Sequence, residues 1–201
     1  MPERADWSQG HHGIDPDEVP FVRGWLRVVD LACRPLVALR VPPDAVTAAG
    51  LLFSLVVPVL AGAGLLGWAV AAVLVSVLLD GLDGAVALRT DRVSSYGRAL
   101  DSACDRVSEL AWWVALVLGA GVPWWAAAVL AVLTLVPEAW RARTGRLGAL
   151  TVWERPTRTI LVVVGLAFAG LDLGRVTGLV GVGLAVVGGG QLALAVRRQG
   201  S

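Results

Sequence analysis

Asp80, Asp83, Asp101 and Asp105 are the residues whose type and spacing could do chemistry. They stand where hydropathy assigns membrane: Val70 to Leu79 runs straight into the first, and Leu110 to Leu118 follows the last. A carboxylate at bilayer depth is costly, so it marks a functional site by default. On helices, Asp80 and Asp83 (i, i+3) share one face, and so do Asp101 and Asp105 (i, i+4). Two such helices side by side aim four anionic groups into one space, and these cannot all stay ionised without a counter-charge. Arg89, Arg92, Arg98 and Arg106 are near enough in sequence to pair with single acids, which is the plain structural alternative for any one of them. For four acids at this spacing, an oxygen-only ligand set suits Mg²⁺ or Mn²⁺ better. Gly81, Gly84 and Gly97 remove side chains beside the acids, so backbone or substrate can come close.

The elements that must hold these acids are membrane helices. The chain has 201 residues, of which 56% are hydrophobic, too apolar for an ordinary soluble domain. About 20 mostly apolar residues cross a bilayer. Six stretches qualify or nearly do: 45–66, 68–88, 98–119, 124–143, 157–171 and 176–196, the fifth short enough to extend back toward Trp153. All 17 basic residues are arginine. With six spans, every arginine except Arg175 falls on one side, so the positive-inside bias puts both termini and the acid cluster at the cytoplasmic face. The expected fold is therefore an all-α integral membrane protein of six transmembrane helices.

Residues 1–20 read as a disordered tail without an apolar signal segment, in which His11 and His12 are solvated. Residues 21–40 read as an amphipathic juxtamembrane helix: Phe21, Trp25, Val28, Val29, Leu36 and Leu39 recur near helical spacing with Arg23, Arg27, Asp30 and Arg34 between them. Residues 41–201 are then the membrane domain. Pro42 and Pro43 open its first span, with Asp44 as a natural N-cap and Thr47 one turn deeper. Cys33 and Cys104 both fall on the cytoplasmic side, so no disulfide is expected. A second polar patch holds Glu138, Arg141 and Arg143 at the end of span four, and Glu154, Arg155 and Arg158 at the start of span five. Its guanidiniums can bind phosphate bidentately; positive-inside topology alone is the alternative.

The acid stretch, Asp80-x-x-Asp83-Gly84-x-x-Ala87 followed by Gly97-x-x-x-Asp101-x-x-x-Asp105, resembles the signature of the CDP-alcohol phosphotransferases (CDP-alcohol phosphatidyltransferases) with every spacing kept. The likeness runs from about Pro43 to Arg158. Within the family, Asp44-x-Val-Thr47, Cys104-Asp105-Arg106, Arg141-Ala-Arg143 and Glu154-Arg155-Pro-x-Arg158 are most similar to the actinobacterial phosphatidylinositol-phosphate synthases. Three positions depart from the pattern. Leu88 stands where the family carries an arginine, with Arg89 one step on; Ser95 replaces a basic residue before Tyr96-Gly97; and Gly145 replaces an acid.

The resemblance implies a phospholipid-synthesising transferase of the cell membrane that moves a phosphatidyl group from CDP-diacylglycerol to the hydroxyl of a polar alcohol, inositol phosphate or glycerol phosphate, and releases CMP. It implies two Mg²⁺ or Mn²⁺ ions on Asp80, Asp83, Asp101 and Asp105, with Asp105 also the catalytic base. It implies nucleotide contacts from Asp44, Thr47, Gly84, Ser94 and Arg89, and acceptor-phosphate contacts from Arg141, Arg155 and Arg158. Membrane lipids and a second copy of the chain are the expected partners, and nucleic acid is not. Leu88 keeps open a member that binds CDP-lipid without turnover. A cation or proton transporter would also use buried acids, but the outer half of the spans carries no matching charges.

Overall fold

The computed structural model describes residues 20–144 and 151–199, with the side chains of 20–23, 25–27, 140–144 and 197–199 outside that description. The described residues form seven α-helices and one short 3₁₀ turn, with no strand among them. The helices are α1 (Pro20–Ala38), α2 (Pro43–Gly62), α3 (Leu66–Arg89), α4 (Ser95–Ala120), α5 (Trp124–Thr144), α6 (Arg155–Ala167) and α7 (Gly174–Gln199). Among the described residues, three segments are long and apolar enough to cross a membrane: Pro43–Gly62, Leu66–Arg89 and Gly174–Val196. The chain is thus an all-helical integral membrane protein. Its exposed surface agrees, because Leu52, Val59, Trp68, Val132, Ile160 and Leu179 all lie uncovered. In water such a surface would be a liability, whereas in lipid it is the expected exterior.

Two boundaries differ from the sequence reading. Asp44 is not the N-cap of α2: the cap is Pro42, in extended backbone with no side-chain hydrogen bond, and the helix begins at Pro43. Proline needs no amide donor at a first helical position and already has the right φ, so it takes that place and leaves Asp44 in the first turn. The fifth span does not reach back to Trp153. α6 starts at Arg155 beside Pro156, and Trp153 lies in the turn before it.

The core is built from α2, α3 and α4 on one side and α5, α6 and α7 on the other. Val57, Val73, Trp112, Leu116, Leu130, Val162 and Leu166 are buried together there. Trp112 and Trp113 are buried against neighbouring helices. Trp153 stacks on Trp113 with centroids 6.0 Å apart, and its indole N–H donates to Thr134 Oγ1 at 3.3 Å. α7 comes close to the Trp153 backbone at Gly188, where a methyl group would lie 2.5 Å from Trp153 Cβ. α2 and α3 are joined inside the apolar interface by Ser54 and Ser76, whose hydroxyls are 2.6 Å apart, and Ser76 Oγ donates to the Gly50 carbonyl at 2.9 Å. A smaller cluster of Val29, Cys33, Val46, Leu82 and Val86 seats α1 against the ends of α2 and α3 that lie near the acids. Cys33 and Cys104 are both buried and are not joined in a disulfide.

Candidate active site

α3 brings Asp80 and Asp83 toward its C-terminal end, and α4 brings Asp101 and Asp105 just after its N-terminus. Three of the four acids gather: Asp80, Asp101 and Asp105 each offer a carboxylate oxygen within 4.8 Å of the others. The sequence spacing therefore folds into a converging donor set. These oxygens suit a hard divalent cation, which takes carboxylate oxygens and few or no nitrogen ligands.

Asp83 is held apart from that group. Thr47 Oγ1 donates to Asp83 Oδ2 at 2.5 Å, and the Gly84 amide donates to Asp83 Oδ1 at 2.6 Å. Both of its oxygens thus have a donor in this structure, and the residue is buried.

Across the acids stands Arg155, the first residue of α6. Its Nη1 donates to Asp80 Oδ2 at 2.5 Å, and its Nη2 lies 2.7 Å from Asp105 Oδ1. One guanidinium so bridges the two helices that carry the acids. Arg155 Nε is buried without a hydrogen-bond partner. A small cavity touches the same residues, lined by Thr47, Gly50, Ser76, Asp80, Cys104, Asp105, Ser108 and Arg155 among others.

The remaining candidates separate. Ser94 caps α4, its Oγ accepting from the Gly97 amide at 2.9 Å. A methyl group at Gly97 would lie 3.1 Å from that oxygen and 3.5 Å from Asp44 Oδ1, so Ser94 and Asp44 both come close to the bare glycine. Gly84 is exposed, and a methyl group there would meet nothing within 4 Å. Arg89 is held by α1: its Nη2 donates to Asp30 Oδ1, and its Nη1 lies 3.3 Å from the Asp30 carbonyl. Arg34 binds the other Asp30 oxygen at 2.8 Å. With Arg89 first and Arg34 second, these guanidiniums hold the Asp30 carboxyl below the usual carboxylate range. The side chains of Arg141 and Arg143 lie outside the described residues.

Arg158 does not present itself to a ligand. It is 5% exposed, and its Nε donates to Glu109 Oε1 at 2.9 Å while its Nη1 donates to the Trp153 carbonyl at 3.0 Å. Its Nη2 lies 2.9 Å from Glu109 and 3.7 Å from Glu138. Glu138 in turn reaches Arg106 at 3.9 Å. Glu109 was missed in the sequence, although it lies one i+4 step beyond Asp105 on the same face of α4. Asp30 was read only as part of an amphipathic pattern.

Fold and site define a membrane-embedded helical bundle with a carboxylate cage at one end, and the chain belongs to the CDP-alcohol phosphatidyltransferase family, whose model matches residues 40–187. It is a metal-dependent CDP-alcohol phosphatidyltransferase of phospholipid synthesis. Among its relatives, it is similar to the phosphatidylinositol phosphate synthase of Mycobacterium marinum, 33% identical over 160 residues that span 74% of this chain and 68% of that protein. It is 36% identical over 129 residues to the archaetidylinositol phosphate synthase of Aeropyrum pernix, spanning 59% of this chain and 66% of the other. Two crystal structures of the Mycobacterium tuberculosis phosphatidylinositol phosphate synthase superpose well at 26% identity. The one with CDP-DAG bound gives a TM-score of 0.71 over 85% of this chain and 92% of that one. The one in complex with manganese and citrate gives 0.74 over 84% and 88%.

Proposed function

We propose that this chain transfers a phosphatidyl group from CDP-diacylglycerol to a hydroxyl of inositol phosphate, releasing CMP at the cytoplasmic face of the cell membrane. The observation that carries the reading is the convergence of Asp80, Asp101 and Asp105 opposite the Arg155 guanidinium. Relatives named for inositol phosphate products and a structural neighbour solved with CDP-DAG support the choice of acceptor and donor.

Asp80, Asp101 and Asp105, with Asp83 as the fourth member, are the residues that would hold two Mg²⁺ or Mn²⁺ ions. Bound there, the ions would supply the charge that neutralises a diphosphate and polarises its phosphorus. Asp105 accepts the proton of the acceptor hydroxyl. The freed oxygen bonds to the β-phosphorus, the bond from that phosphorus to the bridging oxygen breaks, and CMP leaves with the electron pair. Asp44, Thr47, Gly84 and Ser94 line the nucleotide: the open space at Gly84 admits it, and Asp44 and Ser94 each lie close to the bare Gly97. Arg155 holds the acceptor's phosphate, its unpartnered Nε being a donor in want of an oxygen. Arg141 is the second candidate for that phosphate.

The same reading places six spans in the bilayer with both termini in the cytoplasm. The tail (1–20) and the interfacial helix (21–40) then precede the catalytic domain (41–201), and the enzyme works as a homodimer. A second reading, a member that binds CDP-lipid without turnover, is favoured by one feature. Leu88 is exposed at the position where the family carries arginine, and Arg89 is engaged by Asp30.

A panel assay tests both. Purified protein with CDP-diacylglycerol and Mn²⁺ or Mg²⁺ is offered inositol 1-phosphate, glycerol 3-phosphate, inositol or serine, and CMP is read. Metal-dependent CMP release with inositol 1-phosphate is expected. CDP-lipid binding with no CMP from any acceptor supports the second reading, and preference for an acceptor without phosphate refutes the role given to Arg155.

A further inference from the structure

α4 and α6 face each other with two arginine–carboxylate pairs stacked along their axes. Asp105 and Glu109 are one turn apart on α4, and Arg155 and Arg158 are one turn apart on α6. Asp105 meets Arg155, and Glu109 meets Arg158. We infer that Glu109 is a positioning residue: by gripping Arg158 it sets the axial place of α6, and so keeps Arg155 against Asp80 and Asp105.

The geometry of the inner pair fits a fixed brace. Arg158 is tied at once to α4 through Glu109, to the turn before α6 through the Trp153 carbonyl, and toward α5 through Glu138. Trp153 is itself fixed by its stack on Trp113 and its bond to Thr134. α7 closes against the Trp153 backbone at Gly188. Arg158 cannot move without breaking several buried bonds, and Arg155 lies only three residues away on the same short helix. A buried charge left without its partner is strongly unfavourable, so the two groups hold each other in one arrangement. Glu109 needs no contact with substrate to act in this way.

The inference rests on reading the Asp80–Asp101–Asp105 group as the divalent-cation site, and its test is a coupling measured on Mn²⁺ alone. A guanidinium resident on two of the ligands opposes a cation, so Arg155→Gln should tighten Mn²⁺ binding to the full-length protein by about fivefold. In a Glu109→Gln background the same Arg155→Gln change should alter it by less than about twofold, because Arg155 is no longer held in place. The direct charge effect of Glu109→Gln cancels in this cycle, and a loss of general stability alone would not shrink the Arg155 factor. Where the unpaired Arg158 stops Glu109→Gln from folding, Glu109→Gln/Arg158→Gln carries the same cycle with no uncompensated charge. The full Arg155 factor retained in these backgrounds overturns the inference and leaves the proposed function standing. No Mn²⁺ binding by the wild-type protein overturns both.

Discussion

The outer and inner arginine–carboxylate pairs have the same chemistry and different surroundings. In the outer pair, the side chains of Arg155 and Asp105 keep 24% and 27% of their exposure; in the inner pair, Arg158 and Glu109 keep 6% and 4%. An ion pair with access to solvent can exchange partners at small cost, whereas a desolvated one loses several kcal/mol when either member goes. One turn of helix is enough to separate a contact that a ligand can displace from one that fixes the bundle.

The difference can be broken most sharply at the carboxylates. Asp105→Asn should abolish CMP release, by about 10³-fold or more, if Asp105 has the proposed double role as metal ligand and base. Chelation by EDTA should do the same and be reversed by added Mn²⁺, while Glu109→Gln should leave measurable turnover. Equal loss at both positions in a CMP assay would erase the distinction.

The inner pair should show itself in stability. Arg158→Leu alone should cost about 3–5 kcal/mol, whereas Glu109→Met/Arg158→Leu should cost less than about 1 kcal/mol, because no lone charge stays buried. Thermal unfolding in detergent measures both. Arg155→Gln should instead raise the apparent KM for inositol 1-phosphate by about tenfold with little change in melting temperature. Thr47→Val, which removes the donor to Asp83 Oδ2, should lower kcat by about fivefold, read at saturating Mn²⁺.

The smallest effect concerns α1. Asp30 has a folded-state pKa below its ordinary value because Arg89 and Arg34 bind its charged form. Its contribution to docking is therefore complete above that ordinary value and lost as pH falls through the lower, folded one. α1 should resist limited proteolysis down to about pH 4 and become cleavable below it, while Arg89→Ala should make it cleavable at pH 7.

Much of this site was legible before any coordinates. The period of a helix puts Asp80 with Asp83 and Asp101 with Asp105, and three of these four do gather, while long apolar runs give the helix bounds to within a few residues. Contacts between distant segments were not legible. Nothing in the pattern says that Asp83 spends its oxygens on Thr47 and the Gly84 amide, that Arg89 turns to Asp30, or that Arg158 turns inward to Glu109. Each is a choice among arginines and acids of equal type, settled by which helix lies alongside. Asp44 was misplaced for a local reason: the preference of carboxylates for caps was outranked by the fit of proline to a first helical position.

α6 has 13 residues, a reach of about 20 Å, and the 3₁₀ turn at Ala169–Leu171 adds about 6 Å. A hydrocarbon core of about 30 Å is thicker than that. By length alone α6 falls short of that thickness, so the Arg155 guanidinium at its first turn takes its place from the aspartates of α3 and α4 rather than from a level in the lipid.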